Sequence, residues 1–198
     1  IELKKYQSFN NKPTPSCLGR VGFFIKKYDI IVLSIKVILE VRKMTILIIY
    51  DSVFGNTMKV AKVIKESLKA NEINIFRPRE IKKEFVENAD VIIVGSPTRA
   101  FSPTKNIKQF LKRLPSKSLS GKKALVFDTR ASIEQVDSKL LSALVKVYGY
   151  AGETIFKLLE KKGAKVIAEP EGFYVKNNEG PLFPGELERA AKWAKERL

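Results

Sequence analysis

The stretch "TILIIYDSVFGNT", residues 45–57, decides the fold. Its first six residues are apolar and largely β-branched, with no polar alternation, and read as a strand covered on both faces. The strand ends in "DSVFGNT", which holds more polar groups than a simple turn needs. Val60, Ile64 and Leu68 then fall on one helical face, so a helix starts near Asn56 and Thr57. Strand, Gly-containing loop and helix N-terminus in that order bring backbone N–H groups and a positive dipole end to one place. Ser52 and Thr57 add hydroxyls. The set suits a phosphate monoester, and the loop lacks the Lys that a P-loop NTPase uses. An ordinary βα turn capped by Ser or Asn fits this stretch alone equally well.

The same alternation continues to the end of the chain. "NIFRP" (74–78), "DVIIVG" (90–95), "KALVFD" (123–128) and "AKVIAEP" (164–170) are further strand-like runs. Ile107, Phe110, Leu111 and Leu114 share a helical face, and Ser102-Pro103 predicts an N-cap followed by Pro at the first helical position. Residues 132–148 predict a helix with a Ser132/Gln135 capping box. Ile155, Leu158 and Leu159 predict one that ends at Gly163. Leu187, Ala190, Ala191, Ala194 and Leu198 line a last amphipathic helix. The pattern βαβαβαβαβα implies an α/β fold with one open, doubly wound parallel sheet.

Composition narrows the chemistry. Hydrophobic residues make up 44% of 198, enough for a packed core rather than a disordered chain. Histidine is absent, which excludes Ser-His-Asp catalysis, histidine bases and histidine metal ligands. The lone Cys17 rules out an internal disulfide or a cysteine metal cluster, and fits a reducing cytoplasm.

The net charge is +16. Residues 1–43 hold nine Lys and Arg against three Asp and Glu, or +6, which leaves +10 for residues 44–198. Solvated lysines account for this as readily as an acidic partner does. No recognition-helix or RNP pattern points to specific nucleic-acid binding.

Residues 1–43 differ from the rest: "YQSFNNKPTPSCLGR" is turn-rich, and "DIIVLSIKVILEV" is apolar but too short to span a bilayer. We expect the domain to begin at Met44 and residues 1–43 to be a poorly ordered extension outside it. Peripheral membrane contact by residues 28–43, which are flanked by positive charge, is the alternative.

Two more strand ends carry unusual loops. "GSPTRAFSPT" (95–104) holds two prolines and an aromatic, a stiff segment suited to lying along a flat ring. "FDTRAS" (127–132) is the third, where Asp128 would otherwise simply cap the next helix. "YDSVFGNT", "VGSPTRAFSP", "FDTR" and the tail "GFYVKNNEGPLFPGELERAAKWAK" together resemble the flavodoxin-like family, in particular its small prokaryotic single-domain members. The resemblance covers residues 44–198.

It implies a three-layer sheet of five parallel strands in the order 2-1-3-4-5, with FMN at the switch point between the first and third strands. Ser52, Val53, Phe54, Gly55, Asn56 and Thr57 would form the phosphate loop. Pro97, Thr98, Arg99, Ala100 and Phe101 would lie along the isoalloxazine, with Asp128, Thr129 and Arg130 approaching from the other side. Phe54 stands where the family usually has a hydroxyl residue, and Phe101 is the one aromatic in the two ring loops. Arg99 and Arg130 would bring positive charge to the ring.

The implied activity is electron transfer to a redox partner protein, acidic if the lysines choose it. An FMN-dependent NAD(P)H or quinone oxidoreductase and a flavin-free interaction module are the alternatives. A phosphoacceptor receiver domain is set aside, because Gly95-Ser96 stands where the third strand of such a domain ends in Asp.

Overall fold

In the computed structural model, residues 44–70, 72–131, 149–177 and 179–198 are described. The extension over 1–43 and the predicted helix over 132–148 lie outside them. The elements are β1 (Thr45–Tyr50), α1 (Asn56–Ser67), β2 (Glu72–Phe76), α2 (Lys83–Asn88), β3 (Val91–Pro97) and α3 (Lys105–Arg113). They continue with β4 (Lys123–Ala131), α4 (Ala151–Lys161), β5 (Lys165–Val166), β6 (Glu171–Val175) and α5 (Glu186–Arg197).

The strands pair in parallel in the order β2-β1-β3-β4-β5, and β6 also pairs β4. This is the 2-1-3-4-5 sheet that the resemblance implies, with its fifth position divided. The predicted strand over 164–170 is therefore corrected: β5 stops at Val166 and β6 starts at Glu171. Ala124 faces Val166 and Phe127 faces Glu171, so two β4 residues stand opposite four, 167–170, in the edge strand. Pro170 brings no N–H to a ladder, and the interruption falls there. The run "GFYV" then resumes the strand and extends the sheet at its C-terminal end.

Alternation along the strands sorts the core into two layers. Ile46, Ile48, Val91, Ile93, Leu125 and Phe127 pack on α1 and α5, against Val60, Ala61, Ile64, Ala190 and Ala194. Leu47, Ile49, Ile92, Val94, Ala124 and Val126 face the other way, onto Ile107, Leu111, Ile155 and Leu159 of α3 and α4 and Val86 of α2. Residues buried on both faces of one strand explain the unbroken apolar runs. Each fully buried Ile or Leu contributes about 1.5–3 kcal/mol.

Two predicted boundaries move. The helix after β3 starts at Lys105, not after Ser102, because the Thr104 hydroxyl caps it by accepting from the Ile107 N–H at 3.4 Å. Ser102 instead pairs with Arg99 in a short antiparallel bridge. The helix α2 was not predicted from the sequence, since its six residues are too few to show a period.

Candidate functional site

The carboxyl ends of β1, β3, β4 and β6 surround a cleft of about 390 Å³, at the point where successive connections leave the sheet in opposite directions. Val53, Phe54, Asn56 and Thr57 line it from the first loop. Pro97, Thr98, Arg99 and Ala100 come from the second, and Thr129, Arg130 and Ala131 from the end of β4. Ten of the fourteen residues expected from the sequence thus share one cleft. Ser52, Gly55, Phe101 and Asp128 stand beside or behind it.

Gly55 makes the first loop possible. It caps α1 with φ of 86°, a left-handed conformation in which other residues are strained. Asn56, the first residue of α1, and Thr57 follow it, both buried. The first four N–H groups of a helix have no intrahelical acceptor, so those of α1 point out of its N-terminus. Ser52 is buried, and its Oγ has no hydrogen-bond partner among the described residues. Asp51 stays out of the loop's concave side: its carboxylate accepts from the Ser52 N–H at 2.9 Å and from Asn106 Nδ2 at 3.0 Å, with Arg77 Nη1 at 3.7 Å.

Two bonds close the loop against its neighbours. Thr57 Oγ1 and Thr129 Oγ1 share a hydrogen bond of 2.8 Å, and Asn56 Nδ2 donates to the Glu179 carbonyl at 2.7 Å. Gly180 is required for the second contact, because a Cβ there would lie 2.2 Å from Asn56 Nδ2.

The second loop is a tight hairpin. Arg99 and Ser102 exchange backbone bonds of 2.9 and 3.0 Å, with Ala100 and Phe101 between them at φ of 45° and 60°. Two consecutive positive φ values match a type I′ turn, usually filled by Asn and Gly. The conformation therefore carries strain of about 1–2 kcal/mol per residue, of the kind found at ligand clamps. The Arg99 guanidinium lies 5.5 Å from the centre of the Phe54 ring, which links the first and second loops. Below, Ser96 Oγ accepts from the Thr104 N–H at 3.0 Å, and Thr98 Oγ1 accepts from the Ala151 N–H at 3.0 Å.

The end of β4 is arranged differently. Asp128 is fully buried and accepts from Arg130 Nε and Nη2, both at 2.6 Å, and from the Gly152 N–H at 2.9 Å. It serves as a remote cap for α4 and does not line the cleft. Gly152 lets the carboxylate approach, since a Cβ would sit 3.0 Å from Asp128 Oδ2 and 2.6 Å from Pro170 Cβ. The Arg130 guanidinium lies across Gly172 and under the Tyr150 ring, 3.7 Å from its centre. Burial raises the Asp128 pKa, and the Arg130 charge and the Gly152 N–H oppose that rise without cancelling it. Burial works against the charge of Arg130, and Asp128 more than offsets it, leaving the arginine firmly protonated. The charge of Arg130 is therefore a paired one, whereas Arg99 is exposed.

Val175 and Glu179 also line the cleft and were not expected. Their signal was the run "GFYV", which reads as a strand ending at this same side of the sheet. Arg189 holds that strand through Glu186, Glu171 and the Gly172 carbonyl, and Glu186 accepts from the Tyr174 N–H at 2.7 Å. Among the described residues no group of His, Cys, Asp and Glu could hold a metal ion, and no helix is long and apolar enough to cross a membrane.

The chain matches the Flavodoxin domain over residues 47–145. It is 31% identical over 93 residues to a flavodoxin of Clostridium saccharobutylicum, which covers 46% of this chain and 58% of that protein. Among solved structures, oxidised flavodoxin 1 of Bacillus cereus superposes with a TM-score of 0.56 at 23% identity, covering 77% of this chain and 95% of that one. The Fusobacterium nucleatum flavodoxin bound to flavin mononucleotide gives 0.54 at 20% identity, covering 77% and 95%. At these identities the superpositions establish a shared fold. The domain match, which spans half of the sequence and includes all three loops of the cleft, establishes more: this chain belongs to the Flavodoxin domain family.

Proposed function

We propose that the chain binds FMN in this cleft and acts as an electron-transfer protein. Ser52 carries the reading. Its Oγ is buried without a partner among the described residues, at the foot of a loop that leads into the N-terminus of α1. Leaving such a group unsatisfied costs about 1–3 kcal/mol, so a site built this way awaits an acceptor. A phosphate monoester supplies acceptors for the hydroxyl and the first-turn N–H groups together. The loop itself contributes neutral donors, and its own carboxylate, Asp51, is turned toward Asn106 and Arg77.

In this reading Ser52, Val53, Phe54, Gly55, Asn56 and Thr57 hold the phosphate. Pro97, Thr98, Arg99, Ala100 and Phe101 bound the ring on one side, Thr129 and Arg130 on the other, and Asp128 fixes Arg130. The volume lies within the 300–1,000 Å³ range of small-molecule sites. FMN, when bound, supplies the redox chemistry, and the protein sets its access and charge. Val53 and Phe54 give the phosphate end an apolar lining, and the hairpin at Ala100 and Phe101 bounds the ring. The reading also places the chain in a reducing cytoplasm, as its lone cysteine favours.

The test is reconstitution. The purified chain should take up one equivalent of FMN, give a flavin absorption spectrum and quench flavin fluorescence. No uptake at micromolar concentrations would reject the proposal. We also propose that residues 44–198 form the FMN-binding domain. A chain starting at Met44 should bind FMN like the full chain, and its failure to do so would assign residues 1–43 to the domain.

A further inference from the structure

We propose that the rim of the cleft beside the first and second loops is the docking surface for an acidic redox protein. The inference rests on the electron-transfer reading and names its partner by charge. Among the described residues the large hydrophobic side chains left exposed are Val53 (53%), Phe54 (45%) and Tyr174. Val53 and Phe54 are adjacent, and both line the mouth of the cleft. An apolar pair at the mouth of a site, with an arginine over one of its rings, has the composition of an interface centre.

The surrounding cations are tied to one another by the contacts that build the site. Arg99 lies over Phe54. Lys108 donates to Ser102, the residue paired with Arg99, at 3.0 Å. Arg77 reaches the Ser52 carbonyl at 3.5 Å, and Arg79 reaches Asn106, which holds Asp51, also at 3.5 Å. Arg79 and Arg113 share a small depression with Asn106. Arg99, Lys108, Arg77 and Arg79 thus meet the two loops or the residues that hold them, and Arg113 lies one step further out. Of the carboxylates in these contacts, Asp51 is buried against Arg77, and Glu80 accepts from the Arg77 backbone N–H. Glu179 adds one exposed carboxylate to the cleft, so among the described residues the cations of the rim outnumber its exposed carboxylates, and the excess of positive charge over residues 44–198 strengthens the long-range field. Such a field speeds encounter with a negatively charged partner and slows encounter with a positive one.

The test uses hexacyanochromate(III), a paramagnetic trianion, added to the isotope-labelled full chain with and without FMN. The anion broadens the amide NMR signals of the residues it visits. Broadening should centre on Val53, Phe54, Arg79, Arg99 and Lys108 in both states. The double variant Arg79→Glu, Lys108→Glu should weaken it roughly tenfold, whereas Lys123→Glu, Lys165→Glu, an equal charge change at the far end of the sheet, should leave it in place. Broadening that follows Lys123 and Lys165, that spreads evenly over the surface, or that is confined to Ser52–Thr57 and vanishes on FMN addition would overturn the proposal. The flavin spectrum of the same sample reports FMN uptake separately, so failure of the cofactor reading and failure of the docking surface are told apart.

Discussion

The loop after β1 and the end of β4 face one cleft and carry similar polar residues, yet they treat their hydrogen bonds in opposite ways. At the end of β4 the strong polar groups satisfy one another: Asp128 holds Arg130 and the Gly152 N–H, and Tyr150 covers the guanidinium. In the loop after β1, Ser52 Oγ is buried with no partner among the described residues and the first-turn N–H groups of α1 point outward. A satisfied cluster sets the shape of a site, whereas open donors at a helix N-terminus are free to bind the acceptors of the proposed ligand. The two regions should therefore respond to mutation in different observables, stability for the first and ligand affinity for the second.

Arg130→Ala should have the largest effect on stability. It leaves a fully buried carboxylate with one backbone donor, at a cost of about 3 kcal/mol in denaturant unfolding of the flavin-free chain. The deficit should also depend on pH. A carboxyl whose pKa is raised by folding binds its proton more tightly in the folded state, so its contribution is present at low pH and lost as pH rises. The deficit of the variant should widen as pH rises above the usual carboxylate range. A loss below about 1 kcal/mol, independent of pH, would mean that the pair behaves as a solvated surface bridge.

Gly172→Ala attacks the same cluster from below. Its Cβ would lie 2.4 Å from Arg130 Nε, so the guanidinium must shift off Asp128. We expect a loss of about 1–2 kcal/mol, smaller than that of Arg130→Ala because the pair can re-form at an angle. A crystal structure of the variant with the 2.6 Å bonds unchanged would contradict this.

Asn56→Asp moves the comparison to the other wall. It sets a carboxylate beside the proposed phosphate and removes the donor to the Glu179 carbonyl. FMN affinity should fall on the order of tenfold in a fluorescence titration, mainly through charge. An unchanged affinity would place the phosphate elsewhere.

Much of this arrangement was legible in the sequence, for identifiable reasons. Strands buried on both faces give unbroken apolar runs, so β1, β3 and β4 announced themselves, and with them the loops that start at Ser52, Thr98 and the end of β4. The break at 167–170 was not legible, because "AKVIAEP" has the composition of a strand and only pairing with β4 shows where the ladder stops. The start of α3 was misplaced because Ser102-Pro103 carries a good capping signal that the hairpin at Ala100 and Phe101 overrides. The role of Arg130 depends on Gly172, forty-two positions away along the chain, and local sequence gives no hint of that contact. Residue types located the cleft, but partners decided which of its polar groups are already bonded within the protein.

Ser52→Ala tests the central claim most directly, by FMN titration together with thermal unfolding of the flavin-free chain. Removing a buried hydroxyl that has no partner among the described residues costs the free protein nothing, so its unfolding midpoint should stay level or rise. Loss of the bond to phosphate should weaken FMN binding about fivefold, or roughly 1 kcal/mol. An affinity equal to that of the unaltered chain, or a clear drop in the midpoint of the flavin-free variant, would show that this hydroxyl is not reserved for the phosphate.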